Sequence, residues 1–349
     1  MPLSKIVANS ITDDTITTDQ IADTSVHGRR NVLINGNYDI WQRATSFTDV
    51  AGIWHYGFAD RWNGHNDGAD AGTFSQSTTV PNSGSKYSLL VTGASNVTNT
   101  NLSQRIESTN LQGIRDANSL TLSGYVRSAT AGKSIQFYGL APNATDNFSS
   151  YTLLGSLFST TTMSGNGSGG TIGIGLTDAD TWYYFTATAT NVNAQTNFDK
   201  GLALYIAVLS QTSSSHQVYF SQLQMEAGTK ASPFEHRGVG EELLLCQRYF
   251  AQLPSFSGPG TGTTDSRGIG SHPVRMRAAP ALGTTGVLNI TDGYSYDRIQ
   301  SSASVALIAN SPDFSFFNMP NFSSITGGRI HFGPRDGNNT NRITLDAEL

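Results

Sequence analysis

With 349 residues the chain has room for about two domains, and its charged share of 13% is about half that of ordinary soluble domains. The net charge of −5 with no Lys/Arg cluster excludes nucleic acid as a partner, and no apolar run approaches the ~20 residues of a membrane span. One cysteine, Cys246, excludes a disulfide framework and a Cys-based zinc site, and Met1-Pro2-Leu3-Ser4-Lys5 has no apolar core of a secretory signal.

Residues 1–29 form the first element. Apolar β-branched residues recur every five positions, at Ile6, Ile11, Ile16, Ile21 and Val26. Five residues advance a helix by about 140°, so the row winds around the cylinder. On a strand an odd step sends successive side chains to opposite faces. Neither conformation buries the row within one copy, so this segment is expected to be a docking and trimerisation arm sheltered by neighbouring chains.

Residues 30–237 read as an antiparallel β-sandwich of jelly-roll type. Alternating runs such as Leu120–Val126, Ser134–Tyr138, Trp182–Thr188, Leu202–Val208 and Gln217–Leu223 are separated by turn clusters of Gly, Asn, Asp and Ser. No helical pattern intervenes, which excludes a parallel βαβ sheet. The Gly-rich run 163–170 has GxGxxG-like spacing but no helix pattern after it, and is read as a loop. Residues 238–253 hold one linking helix, Gly240–Phe250, opened by Glu241 and Glu242 and stopped by Pro254. Its Leu243, Cys246, Tyr249 and Phe250 share a face, and Cys246 is read as a small buried apolar residue. Residues 254–349 give short β signals and are expected to form a small C-terminal antiparallel β-domain. The fold class is therefore all-β.

The stretch Asn31–Arg43 (NVLINGNYDIWQR) resembles the opening of bacteriophage tail-fibre and receptor-binding proteins that carry a carbohydrate-binding-module-like jelly roll. Ala59-Asp60-Arg61-Trp62 is similar to a short motif early in their sandwich. Gln222–Gly228, continuing through Ser232–Arg237 into Glu241–Phe250, resembles their closing strand and exit helix, and Leu345–Leu349 is similar to their ends. The resemblance covers residues 31–253 well and the rest loosely, and no long fibre shaft is present. It implies a virion protein, usually a homotrimer, mounted on other virion proteins by its N-terminal segment and reaching a host cell-surface polysaccharide. A capsid decoration or head/tail adaptor protein without receptor binding is the second reading.

Enzyme chemistry finds little support. A depolymerase needs paired carboxylates about 5–9 Å apart on a groove. Asp60 with Asp67 and Asp70, Asp178 with Asp180, and Glu241 with Glu242 are read instead as turn and helix-start residues. His27, His55, His65, His216, His236, His272 and His331 are scattered, with no GxSxG elbow and no HExxH pair. No cofactor is expected. For Asn66–Asp70 and Asp336–Asn339 an Asp/Gly turn is preferred over a structural calcium site. Carbohydrate stacking is the better-supported chemistry, because aromatic faces cover the apolar faces of sugar rings while amides meet the hydroxyls. The candidates are Tyr294 and Tyr296 in a Gly/Asp-rich turn, and Trp54 and Tyr56, which alternate with Phe58. Trp41, Trp62 and Trp182 are read as core.

Overall fold

The computed structural model describes residues 29–49, 52–154, 157, 158, 160–163, 168, 169, 173–293, 297–334 and 341–348. The arm with Ile6, Ile11, Ile16, Ile21 and Val26, both tyrosines Tyr294 and Tyr296, and the Asp336–Asn339 run lie outside the described residues.

The chain folds as an all-β jelly-roll sandwich followed by further antiparallel sheet. The sandwich's first sheet runs Ser46–Thr48, Thr73–Ser77, Ser88–Thr92, Gln217–Ala227, Ser119–Ser128, Trp182–Thr190, Thr160–Met163. The second runs Ser168–Gly169, Gly173–Leu176, Lys133–Ala144, Leu202–Leu209, Val97–Ile106, Asn63–Gly68, with Asn147–Leu154 beside Lys133–Ala144. Period-2 alternation decides which side chains meet between the sheets. In Trp182–Thr190 the inward set is Tyr183, Phe185, Ala187 and Ala189, while Trp182 and Tyr184 point out. The second sheet contributes Leu102, Ile106, Ile135, Phe137, Leu204 and Ile206 to the same core. Phe58 stacks on Phe74 at 4.5 Å inside it.

Beyond the sandwich, the helix spans Val239–Gln247 and ends well before Pro254. Phe250–Gln252 is already extended, because it pairs with Ile343–Asp346, so tertiary pairing rather than proline ends the helix. Cys246 is buried, as are Tyr249 and Phe250. The remaining strands make a three-stranded and a seven-stranded antiparallel sheet around a second core that includes Leu253, Ile290, Phe317 and Ile343.

The segments that carry the phage-protein resemblance converge on one hydrogen-bonded knot. Asn31 Oδ1 accepts from the N–H groups of Leu33 and Met225, both at 3.0 Å. Asn35 Nδ2 donates to the carbonyls of Ile40 and Asp60, and the Trp62 indole N–H donates to the Asn35 carbonyl. Glu235 accepts from the N–H groups of Arg30 and Asn31, Glu242 from that of Asn35, and Arg237 donates to the Asn31 and Leu33 carbonyls. Gly36 is obligatory here: a Cβ would sit 2.0 Å from the Leu223 carbonyl oxygen. The end of the chain joins in. Buried Arg61 and Arg43 both pair with Glu348, and their guanidinium groups lie 3.5 Å from the Tyr249 ring centroid and 3.7 Å from that of Phe250. These motifs therefore encode architecture.

Candidate functional site

The outward side chains of the second sheet fall into rows fixed by strand register. One row reads Asn63, Ser103, Tyr205, Tyr138; the next reads His65, Asn101, Ala207, Gln136, Gly173. A third places Asp67 beside Asn99 and Leu209. At the outer edge Trp54 packs over this face, with its ring 5.3 Å from His65 and edge-on to Tyr205 at 5.5 Å. Tyr205 in turn meets Tyr138 edge-on at 5.7 Å. Three half-buried aromatic rings, two from neighbouring strands and one from the loop before Asn63–Gly68, thus make a continuous strip.

The polar groups beside the strip form a connected set. Asp67 accepts from Asn99 and Asn101 Nδ2, each at 3.2 Å, and pairs with His65 Nε2 at 2.9 Å. Tyr138 donates its hydroxyl to Gln136. Burial, with the Asp67 carboxylate nearby, holds the Tyr205 hydroxyl above the ordinary phenol range, so it stays a neutral donor and acceptor. Several buried polar atoms in these rows have no partner among the described residues: both amide atoms of Asn63, Asn101 Oδ1 and His65 Nδ1. Buried polar atoms are ordinarily satisfied, so such orphans mark places where an ordered water completes the bonding.

Of the described residues singled out in the sequence for sugar stacking, Trp54 reaches this face, as do His65 and Asp67, which were weighed there for catalysis. Tyr56 lies among Arg43, Arg61, Arg105 and Glu348, with its hydroxyl buried and pushed up to about 12. Its place is the contact between the sandwich and the chain's last residues. Phe58 is core, as is Trp62, and Trp41 packs partly buried on the core with its indole N–H on the Tyr38 carbonyl at 2.6 Å. Trp182 departs from its reading as core: it stands on the outer face of the first sheet, 6.3 Å from Tyr219. The sequence reading missed Tyr205, whose run looks apolar on both parities, and Tyr138, which shares its face with Ser134 and Gln136.

The carboxylates considered for catalysis all have structural partners. Asp60 accepts from Gln42 through backbone and side chain, Asp178 from the Tyr183 hydroxyl at 2.9 Å, and Asp180 pairs with Arg127. Glu241 pairs with Arg29 and Glu242 with Arg237. In the Asn66–Asp70 turn Asp70 accepts from Ser95 Oγ at 2.6 Å and the Asn96 N–H at 3.1 Å. Among the described residues no group of three His, Cys, Asp or Glu is placed to hold a metal ion, and no helix is long and apolar enough to cross a membrane.

No family model matches the chain, and no curated protein matches it. Among solved structures it is similar to a candidate sugar-binding protein of Bacteroides thetaiotaomicron, at 14% identity and a TM-score of 0.38 over 57% of this chain and all of that one. It is also similar to the enzymatically active domain of tailspike protein 4 of bacteriophage CBA120, at 11% identity and a TM-score of 0.35 over 56% of this chain and 21% of that one. A tandem carbohydrate-binding-module pair from Paenibacillus barcinonensis Xyn10C aligns at 12% identity and a TM-score of 0.31, over 85% of this chain and 99% of that one. At such scores these likenesses carry no weight for function, which rests on the residues.

Proposed function

We propose that the sandwich binds a carbohydrate along the Trp54–Tyr205–Tyr138 strip. The chain then acts as a non-enzymatic tail-fibre or receptor-binding protein that attaches a phage to host surface glycan. One observation carries the ligand class: three half-buried aromatic rings in successive contact on the outer face of the sheet, flanked by amides. Rings of this kind cover the apolar faces of pyranoses, and half-buried amides such as Asn99 and Gln136 match their hydroxyls. The virion setting is supported by the resemblance of 31–43, 59–62 and 222–250 alone. The five-residue repeat supports mounting on other virion proteins and a homotrimer.

A glycan array with the full chain, repeated with Tyr205→Ala, tests the ligand. The variant is expected to fold and to lose about tenfold or more in affinity for each glycan bound. A full chain that binds no glycan, or unchanged binding by the variant, overturns the reading. For the arm, light-scattering mass should give a trimer, and deleting 1–28 should leave a folded protein that no longer joins particles. A monomer at micromolar concentration, or retained incorporation, overturns that part.

A further inference from the structure

The sandwich has a second outer face, and it carries a cleft. On the first sheet Tyr184 lies opposite Tyr125, their rings 5.1 Å apart, and Tyr125 lies opposite Ser221. The Gln217–Ala227 strand then bulges. Gln222 takes a φ of +53°, and register resumes at Gln224 opposite Ser123. Gly124 permits this, since a Cβ there would lie 2.5 Å from Leu223 Cδ2. Leu223 turns into the core, and Gln222 stays near the surface, where its Nε2 donates to Asn82 Oδ1 and Ser85 Oγ, both at 3.0 Å. Gln224 pins the chain that follows: its Oε1 accepts from the Glu235 N–H at 2.8 Å, and its Nε2 donates to Ser232 Oγ at 3.1 Å. Residues 231–236 are thereby laid beside the two tyrosines, with Phe234 and His236 in edge contact at 4.9 Å.

The result is a cleft of about 530 Å³ lined by Tyr125, Tyr184, Phe234, His236, Asn82 and Gln222, together with small side chains. We infer that this cleft is a second saccharide site, taking a neutral pyranose or short neutral oligosaccharide; the inference rests on the carbohydrate reading above. Its volume falls in the range of small-molecule sites, about 300–1,000 Å³. It offers aromatic rings for the apolar face of a sugar. Asn82 Nδ2 and Gln222 Oε1, a donor and an acceptor with no hydrogen-bond partner among the described residues, match neighbouring hydroxyls. No Lys, Arg, Asp or Glu lines it, so apart from the His236 imidazole a carboxylate or phosphate on the sugar finds no counter-charge, and a neutral ligand fits best. The strip on the other sheet differs in having Asp67 among its polar groups. Two sites on opposite faces let one sandwich hold two glycan strands and multiply weak affinities.

Calorimetric titration of the full chain with galactotriose, xylotriose, cellotriose and N-acetylchitotriose tests this. The comparison includes Tyr184→Ala, Tyr205→Ala and Asn82→Ala, the last an exposed position whose loss leaves the core intact. At least one sugar is expected to show a component weakened about tenfold or more by Asn82→Ala and Tyr184→Ala and untouched by Tyr205→Ala. Binding removed by Tyr205→Ala and indifferent to both cleft variants overturns the second site while the first reading stands. Binding sensitive only to the cleft variants supports the cleft and overturns the strip. No heat from any of the four sugars overturns both.

Discussion

The knot around Asn31, Asn35 and Glu235 and the strip around Tyr205 are built on opposite plans. In the knot, amides, carboxylates and backbone groups from distant segments satisfy one another around a Gly36 with no space for a side chain, and the atoms left without a hydrogen-bond partner among the described residues include guanidinium nitrogens of Arg30, Arg43, Arg61 and Arg237. On the strip, Asn63, Asn101 and His65 keep unsatisfied atoms beside half-buried rings. The first arrangement specifies a fold, and the second leaves aromatic rings partly exposed on an outer face. The residues that made the chain recognisable belong to the first, so a resemblance built on them identifies a scaffold and is silent about what the scaffold grips.

The contrast can be broken hardest at Gly36. Gly36→Ala is expected to cost more than about 3 kcal/mol, since its methyl would collide with backbone, and circular dichroism should find little folded protein. Normal melting would show the knot to be pliable. Next comes Glu348→Gln, which leaves buried Arg61 without its counter-ion and should cost about 3–5 kcal/mol by urea unfolding. A loss under about 1 kcal/mol would reduce the pair to a surface contact.

A smaller effect is set by Asp60, whose carboxyl burial raises to about 6, against the opposing pull of Arg43 and Gln42. The folded state holds this proton more tightly than the unfolded chain, where an aspartate titrates near 3.9. Its stabilising contribution is thus full below about pH 4 and is lost as pH rises to about 6, on the order of 2–3 kcal/mol. Urea midpoints at pH 4.5 and 6.5 should differ by less in Asp60→Asn than in the parent; an equal slope in both would assign the pH dependence elsewhere. The smallest expected change in stability belongs to the strip: Tyr205→Ala should cost about 1–2 kcal/mol while removing glycan affinity, since the ring is half-buried and its hydroxyl is not part of the knot.

How much of this was legible in the sequence follows from what alternation can say. Period 2 marks a strand and separates its two faces, as in Trp182–Thr190, yet it does not say which parity faces inward. The run alone does not show that Tyr183 and Phe185, and not Trp182, fill the core. The run Leu202–Val208 hides its exposed face because Ala203, Tyr205 and Ala207 are as apolar as their neighbours. Only register, which sets Tyr205 against Tyr138, turns two scattered tyrosines into a strip. Trp54, Tyr56 and Phe58 alternate without forming a strand, held by the single bridge of His55 to Gly64, so their common face dissolves. The helix was visible from its apolar spacing, but its end was set by a strand almost a hundred residues away.

The pairing of Arg61 with Glu348 spans 287 positions. During synthesis the guanidinium leaves the ribosome long before its carboxylate exists, so the young sandwich waits with an unmatched cation in its interior. Chains broken off late by a frameshift or a stalled ribosome carry that defect permanently. Quality control can therefore read the loss of Glu348 as a weakness in the sandwich that was made 287 positions earlier.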